Sequence, residues 1–252
     1  MSEVTKKSSI VALILGRGNN TLQDKNILPV LGHPLLHWPA LAAKRSKYIG
    51  RYYISSECDK ILEAGISVGY SPILRPSELS LPTSQVDDVV RHANGIISAE
   101  AETDIIIMLH ANVGTIKTEF IDDCIEILLK EPTYSAVIPS QYNYGYHPLR
   151  CKRVKENGLL ENYIDSGNKK ISSNRQDLPA AVFFDHSFWA LRVSNGVNST
   201  DGQQPWSVMG NTIFPYMIDG CFDVHDMDDI ERTSNWIISN NILNQYISEK
   251  LI

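Results

Sequence analysis

The run Ile10-Val11-Ala12-Leu13-Ile14-Leu15, followed by Gly16-Arg17-Gly18-Asn19-Asn20-Thr21-Leu22-Gln23-Asp24-Lys25-Asn26, decides how this chain is read. Six apolar residues without a charge or a breaker predict a buried strand. The strand empties into a Gly- and Asn-rich turn whose backbone N–H groups are expected to point at an anion. Arg17 and Lys25 add two cations to that turn. Polyphosphate, with its several oxygens, suits donors and positive charge together. The same string also reads as an ordinary strand-to-helix turn with two solvated basic residues.

The chain's 252 residues suffice for one α/β domain with a full core, and no internal repeat or boundary divides them. A hydrophobic content of 43% and a charged content of 21% are those of a soluble globular protein. The net charge of -6 argues against a nucleic-acid partner, which calls for a basic face, but permits a local basic pocket around a small acidic ligand. Four cysteines (Cys58, Cys124, Cys151, Cys221) are scattered without a C-x-x-C pair. They read as buried thiols of a reducing compartment rather than as a disulfide frame or a zinc site. No apolar run reaches the length of a membrane span, and no signal-peptide pattern follows the polar first nine residues. A cytoplasmic protein without a membrane partner is expected.

Through the first half, apolar runs alternate with amphipathic segments. Strands are expected at Ile10–Leu15, Tyr52–Ser55, Ile73–Leu74, Ile105–Leu109 and Ser135–Pro139. Helices are expected over Leu35–Ser46, Asp59–Gly65 (ending on its glycine), Val86–Ala99 and Phe120–Leu129. This alternation predicts an α/β fold of three layers, a mostly parallel sheet wrapped by helices. Residues 140–180, rich in Tyr, Asn, Lys, Arg and Gly, read as an inserted arm of loop and hairpin. Beyond it, Ala180–Phe184 and Phe188–Leu191 are strand-like, Ser194–Gly202 is a polar turn, and Ile230–Ile238 has helical spacing. The organisation is one domain over 1–252, with a nucleotide-binding half at 10–139, the arm, and a C-terminal part at 181–252.

Several further strings carry chemistry. Phe222-Asp223-Val224-His225-Asp226-Met227-Asp228-Asp229 offers hard carboxylate oxygens of the kind magnesium takes, and equally the acidic first turn of a helix, favoured by its dipole. Arg75-Pro76 follows a strand. His110 sits at a strand end in Leu109-His110-Ala111-Asn112-Val113-Gly114-Thr115 and reads either as a substrate contact or as a satisfied strand-end histidine. Asp185-His186 would suggest acid–base work, but adjacent strand residues point to opposite faces, so no dyad is expected. The arm holds Arg150, Arg175 and the tyrosines Tyr142, Tyr144, Tyr146 and Tyr163, a composition that suits an interface.

Together these strings resemble the CMP-sialic acid synthetase family (acylneuraminate cytidylyltransferases) over roughly residues 10–238. That family opens with a strand, then A-R-G-G-S-K and K-N; Arg17-Gly18 and Lys25-Asn26 fall on matching positions. Asn19-Asn20-Thr21 replaces Gly-Ser-Lys and the loop is one residue shorter, so a basic residue for the triphosphate is missing or comes from elsewhere. The resemblance implies a nucleotide-diphospho-sugar transferase (Rossmann-like) fold with a dimerisation arm. It implies CTP held by Leu15, Gly16, Arg17, Gly18, Asn19, Lys25, Asn26 and Arg75. Asp223 falls on the first aspartate of the family's D-I-D, Asp228-Asp229 on its E-D pair, and His225 replaces the second aspartate. The implied metal is Mg2+ at Asp223 and His225, with Mn2+ as the alternative, because imidazole suits transition metals better. His225 as a substrate contact is the other reading.

The family's acceptor-sugar string L-Q-P-T-S-P-L-R is altered to Leu109–Thr115 here, with His110 at the glutamine position. Arg175 matches the arginine of R-Q-x-L-P, which approaches the substrate carboxylate in the family, and Asp185-His186 stands where the family has N-G. The implied substrate contacts are His110, Asn112, Arg150, Arg175, Asp185 and His186, and the implied catalytic residues are Arg17, Lys25 and Asp223. The expected function is cytidylyl transfer from CTP to an ulosonic or nonulosonic acid for surface glycan synthesis, carried out by a homodimer. Two other readings stand beside it. Gly16-x-Gly18 begins a dinucleotide fingerprint, suggesting an NAD-dependent oxidoreductase, but Thr21 replaces the third glycine and no acid precedes Glu57 after Tyr52–Ser55. A nucleotide-binding protein that has lost catalysis is the non-enzymatic alternative.

Overall fold

A computed structural model describes residues 9–18, 20–143, 146–167 and 169–252; Asn19 and Tyr144 lie outside the described residues. The strands are β1 (Ile10–Leu15), β2 (Pro29–Val30), β3 (His33–Pro34), β4 (Arg51–Ser56), β5 (Ser71–Leu74) and β6 (Ile105–His110). They continue with β7 (Ala136–Tyr142), β8 (Lys152–Val154), β9 (Leu160–Asn162), β10 (Val182–Phe184), β11 (Phe188–Arg192) and β12 (Ile213–Met217). The helices are α1 (His37–Lys44), α2 (Asp59–Ser67), α3 (Val86–Glu100), α4 (Thr118–Lys130), α5 (Met227–Ser239) and α6 (Ile242–Ser248).

Every residue of β1 is buried. A strand that is apolar throughout needs a neighbour on both edges and cover on both faces, and β1 has them. It pairs in parallel with β4 on one edge, Leu15 opposite Ser55, and with β6 on the other, Leu15 opposite His110. Alternation sorts the side chains. Ile10, Ala12 and Ile14, with Ile105, Ile107 and Leu109 of β6, pack under α1, α2 and α4. Val11, Leu13 and Leu15, with Ile106 and Met108, pack under α3 and the turns around Val193–Met209. The result is the three-layer α/β fold with a mostly parallel sheet.

Beyond β4 the sheet ends at β5. On the other side β11 is inserted antiparallel beside β6, and β7 follows with β12 parallel to it at the edge. β10 pairs with β7 at Ser140–Tyr142, and β11 pairs with it at Ala136 and Val137. Because β12 runs along the opposite edge of β7 from Ala136 to Ser140, β10 and β11 share one edge. Residues 185–187 are the kink between them. A third apolar cluster docks α5 and α6 on the outer side of α1, where Trp38 stacks on Tyr246 at 5.7 Å between ring centroids.

The structure differs from the sequence reading at several places. α2 runs through Gly65 to Ser67, and its stop is Gly69, whose φ of +80° suits glycine. Gly65 serves close packing instead: a β-carbon there would lie 2.7 Å from both Cδ1 and Cγ2 of Ile54 on β4. The polar turn at Ser194–Gly202 begins inside a π-helical turn, Val193–Val197, whose two valines belong to the core. The chain also forms β12 and α6, which the sequence pattern did not announce. Of the four free thiols, Cys124 is buried, Cys58 and Cys221 are partly buried, and Cys151 is exposed on the arm.

Candidate active site

The chain leaves β1 toward β4 and β5 on one side and returns to β6 on the other, so β1 is the point where the strand order reverses. A crevice opens at such a point, outside the carboxyl ends of the strands. Here it is a cavity of about 270 Å³ lined by Leu15, Gly16, Arg17, Lys25, Asn26, Arg75, His110 and Asn112, with Leu79, Val86 and Val89 as its apolar wall.

The opening turn is braced from within. Gly16 N–H donates to the Ser55 carbonyl at 3.2 Å. Gly18 N–H donates to Glu57 Oε1 at 2.8 Å. Asn26 Nδ2 donates to the Arg17 carbonyl at 2.9 Å. This corrects the expectation that the amides of Gly16 and Gly18 face an anion. Glu57, one residue past β4, puts a carboxylate against the turn, so the positive charge of the crevice comes from side chains.

Three cations supply it. Arg75 is 6% exposed, and its guanidinium donates from Nη2 to the Ser55 carbonyl at 2.6 Å and from Nε to Ser55 Oγ at 3.2 Å. Burial pushes it down to about 10, against the restoring pull of Glu57, and it stays charged at neutral pH. Arg17 donates from Nη1 to the Leu81 carbonyl at 3.1 Å. Lys25 is lowered by burial first, with Asp223 acting in the opposite direction and Arg17 adding to the fall.

A second cavity, of about 210 Å³, lies along Val113, Gln141, Phe184, Asp185, His186, Ser187, Cys221, Phe222 and Asp223. The two share a seam. Asn112, from the first, donates from Nδ2 to Asp223 Oδ2 at 3.4 Å, and its carbonyl accepts from Val224 N–H at 3.0 Å. Asp223 Oδ2 also meets His225 Nε2 at 2.9 Å, with the histidine side chain 70% exposed. The loop beneath is held by the start of α5. Asp226 caps it by accepting from Asp229 N–H at 3.0 Å, while Asp229 accepts from His225 N–H at 2.9 Å and from Arg232 at 2.8 Å. Asp229 thus belongs to the helix start.

Asp185 is 4% exposed, and its carboxylate accepts from Cys221 N–H at 2.7 Å and Ser187 N–H at 3.1 Å. It holds the kink between β10 and β11. His186 turns instead to the second cavity, edge-on to Trp206 at 4.8 Å and to Trp189 at 6.0 Å. His110, at the end of β6, is edge-on to Trp189 at 5.7 Å. Its Nε2 is buried without a hydrogen-bond partner among the described residues. Burial pushes its imidazole down to about 4; His186 lowers it further and Asp223 opposes the fall.

The arm cations do not line these cavities. Arg150 lines a separate groove with Lys152 and Lys169, and Arg175 lies in the exposed turn Arg175–Asp177. Among the described residues no three His, Cys, Asp or Glu side chains cluster as a metal cage. Asp223 still fits a magnesium ion of the kind held by one carboxylate together with substrate phosphates and water. The sequence reading missed Glu57, Gln141 and Trp206. Only Glu57 carried a signal, as an acid directly after a strand beside the opening turn.

A family model described as Cytidylyltransferase matches residues 11–189. N-acylneuraminate cytidylyltransferase A of Danio rerio is 25% identical over 185 residues, covering 73% of this chain and 41% of that protein. The 3-deoxy-manno-octulosonate cytidylyltransferase of Bdellovibrio bacteriovorus is 17% identical over 171 residues, covering 68% of this chain and 64% of that one. The chain thus matches 41% and 64% of the lengths of these curated relatives. A solved CMP:2-keto-3-deoxy-manno-octonic acid synthetase complexed with CTP has a TM-score of 0.66 at 13% identity, over 92% of this chain and 100% of that one. The 4-diphosphocytidyl-2C-methyl-D-erythritol synthase of Anaerococcus prevotii has a TM-score of 0.60 at 12% identity, over 94% and 99%. At such identities the two structures speak for the fold alone.

The buried histidine has a measurable consequence. Its ordinary value is 6.5 and its folded value about 4, so between these the unfolded chain binds the proton more readily. Stability is therefore lost as pH falls through that window, and His37 and His186, both lowered by burial, act in the same direction. Urea titrations should show the unfolding free energy rising with pH across the window, with a shallower slope in His110→Gln. An unchanged slope in that variant would remove His110 as a titrating group.

Proposed function

The chain belongs to the cytidylyltransferase family, and on that premise we propose that it transfers a cytidylyl group from CTP to a hydroxyl of an acidic sugar, an ulosonic or nonulosonic acid. The observation that carries this reading is the seam: a cavity with three cations meets a second cavity at Asn112 and Asp223. The triphosphate lies against Arg17, Lys25 and Arg75, with the sugar beyond the seam. The sugar hydroxyl bonds to the α-phosphorus in line with the leaving group. The bond from the α-phosphorus to the bridging oxygen breaks, and diphosphate leaves with its electron pair. Magnesium, or manganese if His225 joins Asp223, would supply charge neutralisation on the phosphates. The chain's own cations orient the triphosphate and stabilise charge that grows on the departing oxygens.

Both curated relatives are named for sugar acids, which supports the acceptor class. The altered strings at His110–Thr115 and Asp185-His186 point away from N-acetylneuraminate, because a site built for other hydroxyls leaves buried partners unpaired. Among the described residues, no lysine or arginine lines the second cavity. In this reading the carboxylate meets Arg175 or Arg150 from the arm of a second copy in a two-fold homodimer. The arm's exposed Tyr146, Val154, Leu160 and Tyr163 suit that contact. No helix among the described residues is long and apolar enough to cross a membrane, in keeping with the proposed cytoplasmic site of action. Family membership displaces the oxidoreductase alternative.

Diphosphate release with CTP, magnesium and a panel of ulosonic and nonulosonic acids tests the proposal. We expect turnover with an acid other than N-acetylneuraminate, and a loss of about 100-fold or more in Asp223→Ala at unchanged melting temperature. N-acetylneuraminate as best substrate would contradict the acceptor reading. Full activity of Asp223→Ala would remove that carboxylate from the reaction. CTP binding without release from any acid would identify a protein that has lost catalysis. Light scattering should report a dimer at working concentration, and a monomer would leave the sugar carboxylate without its cation.

A further inference from the structure

A hydroxyl that attacks phosphorus must give up its proton, and the second cavity holds four side chains able in principle to take it: Asp185, Asp223, Cys221 and His186. Asp185 is engaged on both oxygens by the amides of Ser187 and Cys221. Asp223 is bound by His225 and Asn112 and is the carboxylate assigned to the metal. The Cys221 thiol is pushed up to about 12, first by burial and then by Asp185, so it stays protonated at neutral pH. His110 lies on the nucleotide side of the seam, and at about 4 it is too weak a base.

His186 remains. Its ring packs against Trp206 and Trp189, which also touch each other, and neither ring nitrogen has a hydrogen-bond partner among the described residues. Resting on the transfer reading above, we propose that His186 is the general base of the reaction, a role built from the Asp185–Ser187 kink that lines the acceptor cavity. The acceptor hydroxyl gives its proton to a ring nitrogen as its oxygen bonds to the α-phosphorus. The electron pair of the broken phosphoanhydride bond leaves on diphosphate, and the imidazolium then passes the proton to water. The titratable groups that face His186 are Asp185 on its own turn, Asp223 before α5 and His110 on β6; Trp189 on β11 and Trp206 add no charge. Burial lowers the imidazole and the two aspartates oppose that fall, which leaves it neutral and able to accept at neutral pH. Two positions that the sequence presents as one Asp–His pair thus divide: Asp185 holds the kink and His186 works on the substrate.

The test is the pH profile of kcat in the wild type, His186→Gln and His225→Gln, with CTP, magnesium and the best acid of the panel. The wild type should show a rising limb with its midpoint below 6.5. His186→Gln should lose that limb and about 100-fold to 10,000-fold in kcat, while the rise in melting temperature on adding magnesium and CTP persists. Imidazole in the buffer should restore part of the activity of His186→Ala, which guards against a variant that merely packs badly. A loss of less than about tenfold, or one borne by KM alone, makes His186 a sugar contact and overturns the assignment. Loss of the limb in His225→Gln instead gives the proton to the other histidine. No diphosphate release from the wild type with any acid overturns the transfer reading itself, and the base falls with it.

Discussion

The site depends on one constraint: β1, apolar on both faces, must be flanked by β4 and β6 with its chain connections leaving in opposite directions. Parallel strands buried on both sides require helices above and below, and the crossovers to those helices part company at β1. The crevice is what that parting leaves. Leu15, Ser55 and His110 are register partners at its floor. Beyond that floor Gly16 and Asn112 line the crevice, and Glu57 holds the turn through the Gly18 amide.

From that floor the electrostatics follow. The whole chain carries a net charge of -6, yet the crevice gathers Arg17, Lys25 and Arg75, while Glu57 accepts from the Gly18 amide of the turn. Arg75 and Lys25 are both lowered by burial, which means that each is held at some cost in an environment poor in water. An anion in the cavity relieves that cost. The second cavity is different in kind: Phe184, Phe222, Gln141 and His186 line it, with the carboxylates of Asp185 and, at the seam, Asp223. The first cavity thus offers cations to a polyanion, and the second offers hydrogen-bonding and aromatic side chains, as the proposed acceptor requires.

Much of this was legible in the sequence, and the rest was hidden for physical reasons. Runs such as Ile10–Leu15 and Ile105–Leu109 are apolar without alternation, so strands buried in a parallel sheet were readable directly. The antiparallel insertion of β11 between β6 and β7 was not, because a strand's residues do not reveal its neighbours. β12, Ile213-Phe214-Pro215-Tyr216-Met217, contains a proline that reads as a breaker; it is tolerated because β12 has a partner on one edge only. α6 begins after Asn241 in the left-handed region, φ 59°, a start without an ordinary cap. In the site, the cations were readable as residue types beside a turn. The internal bond from Gly18 to Glu57 was not, since it joins residues 39 positions apart. Asp185 and His186 show the same limit: their adjacency was visible, but the kink that separates their tasks needs the pairing of β10 and β11 with β7.

The proposed transfer from CTP requires the crevice beside β1, with Arg17, Lys25 and Arg75, to hold that nucleotide in preference to the other three ribonucleoside triphosphates. Calorimetric titration of the full chain with each of the four ribonucleoside triphosphates in magnesium tests it most directly, run in parallel on Lys25→Glu. Saturable binding of one CTP per chain is expected, with weaker binding of the other three and a loss of about tenfold or more in Lys25→Glu, where a cation of the crevice becomes an anion. Equal binding of all four would contradict the selectivity. Undiminished CTP binding by Lys25→Glu would show that the triphosphate does not lie in this crevice.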